Sequence, residues 1–126
     1  MSADAAGTEE TTVARLRFDG MGLVTVVVED AATNETLMLA HANPEAVRQT
    51  LESRYAWFWS RSRGKLWCKG ETSSNRMRIV EVLVDCDQDA LLYRVSMEGA
   101  GAACHTGRRS CFYRSMEGSG ELSFKS

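Results

Sequence analysis

Apolar residues in this chain alternate with polar ones more often than they recur at helical spacing, which predicts a domain built mainly of strands. Val24, Val26, Val27 and Val28 form a β-branched run within residues 22–29, a first strand. Asn34 marks a turn, and residues 36–40 form the strand that pairs back on it. Residues 56–60 put Trp57 and Trp59 on one strand face, Arg63-Gly64 turns the chain, and residues 65–68 return. Residues 78–84 alternate, residues 90–97 make a further strand, and residues 111–114 the last. Helical spacing is convincing in one place. Asn43-Pro44-Glu45 supplies an N-cap, a proline at N1 and a first-turn acid, predicting a helix over residues 44–54 with Val47 and Leu51 on its buried side. The fold class read from this pattern is α+β, mainly β, a small strand-rich domain with one clear helix.

Residues 1–12 are small, polar and acidic and read as a flexible N-terminal tail; residues 13–115 form the domain and 116–126 a C-terminal tail. A chain of 126 residues supports one modest core. The net charge of −2 gives the whole molecule no bias toward polyanions. Basic residues cluster nonetheless: Arg61, Arg63, Lys65, Lys69, Arg76 and Arg78 in one stretch, Arg108, Arg109 and Arg114 in another. Solvated faces are the plain reading of each residue singly. Two local clusters suit a small phosphorylated ligand better than nucleic acid, which leaves a larger basic footprint. No segment is long and apolar enough to cross a bilayer, and residues 1–12 lack the apolar core of a signal peptide. The expected location is therefore the cytoplasm, where cysteines bind metals or catalyse rather than form disulfides.

The chemistry concentrates in Cys104-His105-Thr106-Gly107-Arg108-Arg109-Ser110-Cys111. Thr106-Gly107 is a turn signal, so the two thiols can fold back toward one site and make half of a zinc site. Cys86, within Asp85-Cys86-Asp87-Gln88-Asp89, is the candidate third ligand. Three thiolates with water in the fourth position make a catalytic zinc; His105 as fourth ligand would close a structural one, and four unrelated buried cysteines are the plainest alternative. In extended chain, neighbours point to opposite sides, which turns His105 away from Cys104 and frees it for general acid–base work. The same alternation puts Asp85, Asp87 and Asp89 on the side opposite Cys86, and oxygen ligands suit a hard cation such as Mg²⁺. An EF-hand is excluded, since Ala90 stands where its glycine and Ser96 where its closing glutamate belong. Arg61, Arg63, Lys69, Thr72, Ser73, Arg108 and Arg109 are candidates for gripping phosphates. Trp59 and Trp67 are expected in the core, with stacking on a purine as the alternative.

Trp59-Ser60-Arg61-Ser62-Arg63, Leu66-Trp67, Lys69-Gly70-Glu71-Thr72-Ser73, Asp85-Cys86-Asp87-Gln88-Asp89-Ala90-Leu91 and the stretch from Cys104 to Arg114 together resemble the phosphoribosyl-AMP cyclohydrolase family of histidine biosynthesis, in its monofunctional form. The resemblance implies hydrolysis of the N1–C6 bond in the adenine ring of 1-(5-phosphoribosyl)-AMP by a zinc-activated water, giving the phosphoribosylformimino-AICAR phosphate intermediate. It implies zinc, one per subunit, on Cys86, Cys104 and Cys111, magnesium on Asp85, Asp87 and Asp89, and an intertwined homodimer with zinc sites shared between subunits. The family usually has glycine at the position of Ser74 and proline at that of Ala103, and Cys68 matches no family ligand position. If position 74 needs φ > 0, Ser74 carries strain. The rival reading is a zinc-stabilised module that binds nucleotides or RNA without catalysis.

Overall fold

A hairpin of Val24–Asp30 (β1) and Thr36–Ala42 (β2) begins the main sheet in the computed structural model, which describes residues 8–125. The helix Pro44–Ser53 (α1) follows, then the hairpin Trp57–Ser60 (β3) and Lys65–Cys68 (β4), then Met77–Val84 (β5) and Ala90–Met97 (β6). Arg114–Met116 (β7) and Leu122–Phe124 (β8) close the described chain as a small hairpin. The main sheet has the order β2-β1-β6-β5, with β1 and β6 parallel and the other neighbours antiparallel. A parallel pair needs a long crossover, and here α1 and the β3–β4 hairpin belong to it and cover one face of the sheet. The fold is strand-rich with one helix among the described residues, as the periodicity predicts.

Period-two alternation makes the core. Val24, Val26 and Val28 face inward from β1, Leu91, Tyr93 and Val95 from β6, and Phe58 meets them from β3, all at most 4 % exposed. The opposite face stays open. Leu39, Val27, Leu92 and Leu83 stand in register across β2, β1, β6 and β5, an apolar row with Leu39 and Leu83 exposed. Beside it runs a charged row in which Arg94 pairs with Glu29 and, at 3.3 Å, with Glu81.

Four expectations change. Leu51 is 51 % exposed, and α1 buries Ala46 and Thr50 instead. The last strands start at Arg114 rather than at residue 111, because the backbone of Cys111 is used to bind the Leu37 carbonyl. The segment 116–126, expected as a tail, contains β8. Of the N-terminal tail, residues 1–7 lie outside the described residues, while residues 8–10 form a turn and the Thr8 carbonyl accepts from Gln88 Nε2.

Candidate functional site

The cysteine loop folds back as the Thr106-Gly107 signal predicts. The Gly107 N–H donates to the Cys104 carbonyl at 3.0 Å, and Gly107 takes φ 89°, which only glycine adopts freely. Hydrogen bonds from the Cys104 and Ala103 N–H groups to the Arg108 and Arg109 carbonyls close the loop. This brings Cys104 and Cys111 near enough for each thiol to act on the ionisation of the other. The Thr106 hydroxyl donates to Cys104 Sγ at 3.1 Å and holds that thiol below its ordinary range, with the Arg108 charge acting the same way. Loss of hydration, then the neighbouring Cys104, pushes Cys111 up to about 11, against a smaller opposing pull from Lys69. His105 sits at the turn rather than in extended chain. His105 is exposed there, whereas Cys104 is buried.

Arg109 is already engaged. Its guanidinium pairs with Asp30 and, at 2.6 Å, with Glu35, so it ties the cysteine loop to the end of β1. Arg108 lies over the Tyr113 ring, 4.2 Å from its centroid, and over Phe124 of β8. Ser110 anchors the loop further through its hydroxyl, which donates to the Thr36 carbonyl at 2.7 Å.

The acids occupy a different place. Residues 85–89 are the turn between β5 and β6, not extended chain, which corrects the reasoning from alternation. The Asp89 and Ala90 N–H groups donate to Asp85 Oδ1 at 3.1 and 3.2 Å, and the Gln88 N–H to the Asp85 carbonyl at 3.1 Å. The turn thereby brings ligand oxygens of Asp85, Asp87 and Asp89 within 4.8 Å of one another, the one such cluster among the described residues. Burial pulls the Asp85 carboxyl upward, but bonds from Ala90, Asp89 and Asp87 outweigh it and leave Asp85 lowered. Hydrogen bonding to Asp87 and Asp85, with their charge, pushes Asp89 up to about 6. Three carboxylate oxygens this close together make a donor set of the kind a hard cation prefers. Cys86 is exposed on the same turn.

Within one chain these two donor sets stand apart. The acidic turn adjoins Ala90, in register with Thr25 and, through it, His41. The Leu37 carbonyl that accepts from the Cys111 N–H lies four residues along β2 from His41 and two strands over from Ala90, so the turn carrying Cys86 and the thiol pair sit at different ends of the sheet. The four cysteines are thus not uniformly buried core: Cys68 and Cys104 are buried, Cys86 and Cys111 exposed.

Of the basic candidates, Arg61 and Arg63 line a cleft of about 290 Å³ with His41, Trp59 and Trp67. Both tryptophans are half-buried and border the cleft, and Trp67 also packs against the core, with Phe58 5.1 Å away. Desolvation, then the Arg61 charge, pushes the His41 pKa down. Sequence reasoning passed over His41; its signal was a lone imidazole in the apolar strand β2. Thr72 and Ser73 are exposed on the turn after Lys69.

Oxygens converge at one end of the sheet, the cysteine loop lies toward the other and basic side chains border a cleft, an arrangement that suits an enzyme acting on a small molecule. Residues 38–113 match the phosphoribosyl-AMP cyclohydrolase family. The chain is 57 % identical over 112 residues to the phosphoribosyl-AMP cyclohydrolase of Brucella anthropi, covering 89 % of this chain and 79 % of that one. It is 53 % identical over 118 residues to the one of Brucella canis, covering 94 % and 85 %, and 53 % identical over 116 residues to that of a Chelativorans species, covering 92 % and 84 %. The chain belongs to the phosphoribosyl-AMP cyclohydrolase family and is an enzyme of that type. That decides against a module without catalysis. No helix among the described residues is long and apolar enough to cross a membrane.

Proposed function

We propose that this chain opens the adenine ring of 1-(5-phosphoribosyl)-AMP by hydrolysis at the N1–C6 bond, a step of histidine biosynthesis carried out in the cytoplasm. The observation that carries the reading is the presence, inside the family-matched residues, of two convergent donor sets of different softness: three carboxylates and a pair of thiols. The thiol pair fits zinc, since Cys104 is already lowered toward thiolate, and Cys86 would complete three sulfur ligands with the fourth position left to water. When bound, zinc lowers the pKa of that water and so makes hydroxide accessible at neutral pH. The carboxylates of Asp85, Asp87 and Asp89 fit magnesium, a hard cation that prefers oxygen.

The chain's own residues do the rest. His105, exposed beside buried Cys104, moves a proton between water and the ring nitrogen. Arg108 and Lys69 bring positive charge to the thiol pair and grip one phosphate, with Thr72 and Ser73 on the adjacent turn. Arg61 and Arg63 grip the other, and Trp59 offers its face to the purine. Arg109, paired with Asp30 and Glu35, fixes the loop that carries Cys104.

The active form is a homodimer in which Cys86 of one subunit joins Cys104 and Cys111 of the other. Its support is the distance between the donor sets in one chain, together with the open apolar row of Leu39, Val27, Leu92 and Leu83, which a second copy would cover. The test is incubation with phosphoribosyl-AMP, following product absorbance with and without chelator. Turnover that the chelator abolishes and zinc with magnesium restores is expected; no turnover in the metal-loaded protein overturns the assignment. His105→Asn should keep bound zinc and lose turnover on the order of 10²–10⁴-fold, as expected for a missing general acid–base. Zinc loss in that variant would instead make His105 a ligand.

A further inference from the structure

The N-terminal segment crosses the acidic turn and is bonded to it through Gln88. The Arg15 N–H donates to Gln88 Oε1 at 2.6 Å, Gln88 Nε2 donates to the Thr8 carbonyl at 3.2 Å, and the Arg17 N–H donates to the Gln88 carbonyl at 2.7 Å. Gln88 is 4 % exposed although it stands between two acids on a surface turn. Its φ of 60° is left-handed, a conformation that a glutamine does not choose by itself. Three carboxylates of like charge also resist convergence. Two unfavourable features therefore coincide at this turn, and the bonds from residues 8–17 offset both. They satisfy the amide and the carbonyl of Gln88 only while it remains buried and left-handed.

We propose that Gln88 is a positioning residue, and that the segment 8–17 strapped to it holds the 85–89 turn in the form in which Asp85, Asp87 and Asp89 converge, so setting the affinity of the turn for a divalent cation. The inference rests on the reading of those carboxylates as a divalent-cation site.

Mn²⁺ serves as the probe, titrated by electron paramagnetic resonance into the full, zinc-loaded chain. Gln88→Met keeps the bulk and removes both side-chain bonds; Gln88→Gly accepts the left-handed φ without strain and removes the same bonds. Each should bind Mn²⁺ about 10-fold more weakly, the low end of the effects seen when the support behind metal ligands is lost, with near-ultraviolet circular dichroism unchanged. Coupling is reciprocal, so saturating Mg²⁺ should slow amide hydrogen exchange at Arg15 and Arg17 in the wild-type chain, a result that needs no variant to fold. Folded variants that bind Mn²⁺ like wild type, or exchange at Arg15 and Arg17 that ignores Mg²⁺, overturn the strap. Asp87→Asn in the same titration separates the two ideas. If it binds Mn²⁺ like wild type, the cation-site reading itself fails; if it loses Mn²⁺ while the Gln88 variants keep it, only the strap fails.

Discussion

Ser74 sits at φ 67°, so the strain expected where the family usually has glycine is present. Left-handed geometry costs a non-glycine residue about 1–2 kcal/mol, partly offset in glycine by the entropy of the unfolded chain. Ser74→Gly should therefore raise stability by about 0.5–1 kcal/mol, read as a higher urea midpoint at constant slope. An unchanged or lower midpoint would mean that the loop is not strained at this residue. Asp89 offers a second test at this scale. Its carboxyl, pushed up to about 6 from an ordinary 3.8, is harder to ionise in the folded chain than in the unfolded one. The charged form thus opposes folding above that pH, and the penalty fades as the pH falls through 6 toward the ordinary value. In chelator, Asp89→Asn should stabilise the fold at about pH 7.5 and lose that advantage near pH 4. A gain equal at both pH values would show that repulsion between the acids is not its source.

At the level of elements, α1 is fastened by Thr50 rather than by the leucine next to it. The Thr50 hydroxyl donates to the Ala46 carbonyl at 2.9 Å and accepts the Trp57 N–H at 2.9 Å, and the Tyr93 hydroxyl lies 3.5 Å away. One oxygen so joins the helix to β3 and reaches toward β6. Burial raises the Tyr93 pKa, and the neighbouring Thr50 hydroxyl opposes that rise. Thr50→Val keeps the volume and strands the Trp57 donor, so unfolding experiments should record a loss of about 1–3 kcal/mol. A neutral result would mean that water replaces the hydroxyl. Helical spacing alone does not choose between Thr50 and Leu51, which are adjacent. The structure makes the choice through β3, whose Trp57 N–H donates to the Thr50 hydroxyl. The start of the helix is different in kind. Asn43 Oδ1 accepts the Ala46 N–H at 2.9 Å within a single turn, and the sequence pattern predicts that bond directly.

For the whole molecule, separation of Cys86 from the thiol pair makes a sharp prediction about subunits. Cys86→Ala and Cys104→Ala should each be inactive alone. In a mixed dimer with shared sites, one site collects both lesions and the other none, so activity should return toward half of wild type. A heterodimer confirmed by native mass spectrometry that stays inactive would place each site within one chain. The sequence by itself determined what depends on near neighbours: the strand runs of β1, β2, β5 and β6, the capped start of α1, and the Thr106-Gly107 turn that brings Cys104 to Cys111. Each is written in side chains a few residues apart, and local sterics and hydrogen bonds read them directly. The tertiary structure alone decided the parallel pairing of β1 with β6, the open apolar row, the engagement of Arg109 by Asp30 and Glu35, and the burial of Gln88 under residues 8–17. Those arrangements join segments distant in the chain. Alternation records which face a side chain takes but not which strand lies beside it, so the placement of Cys86 and the acids away from the thiols emerged only when the sheet order was known.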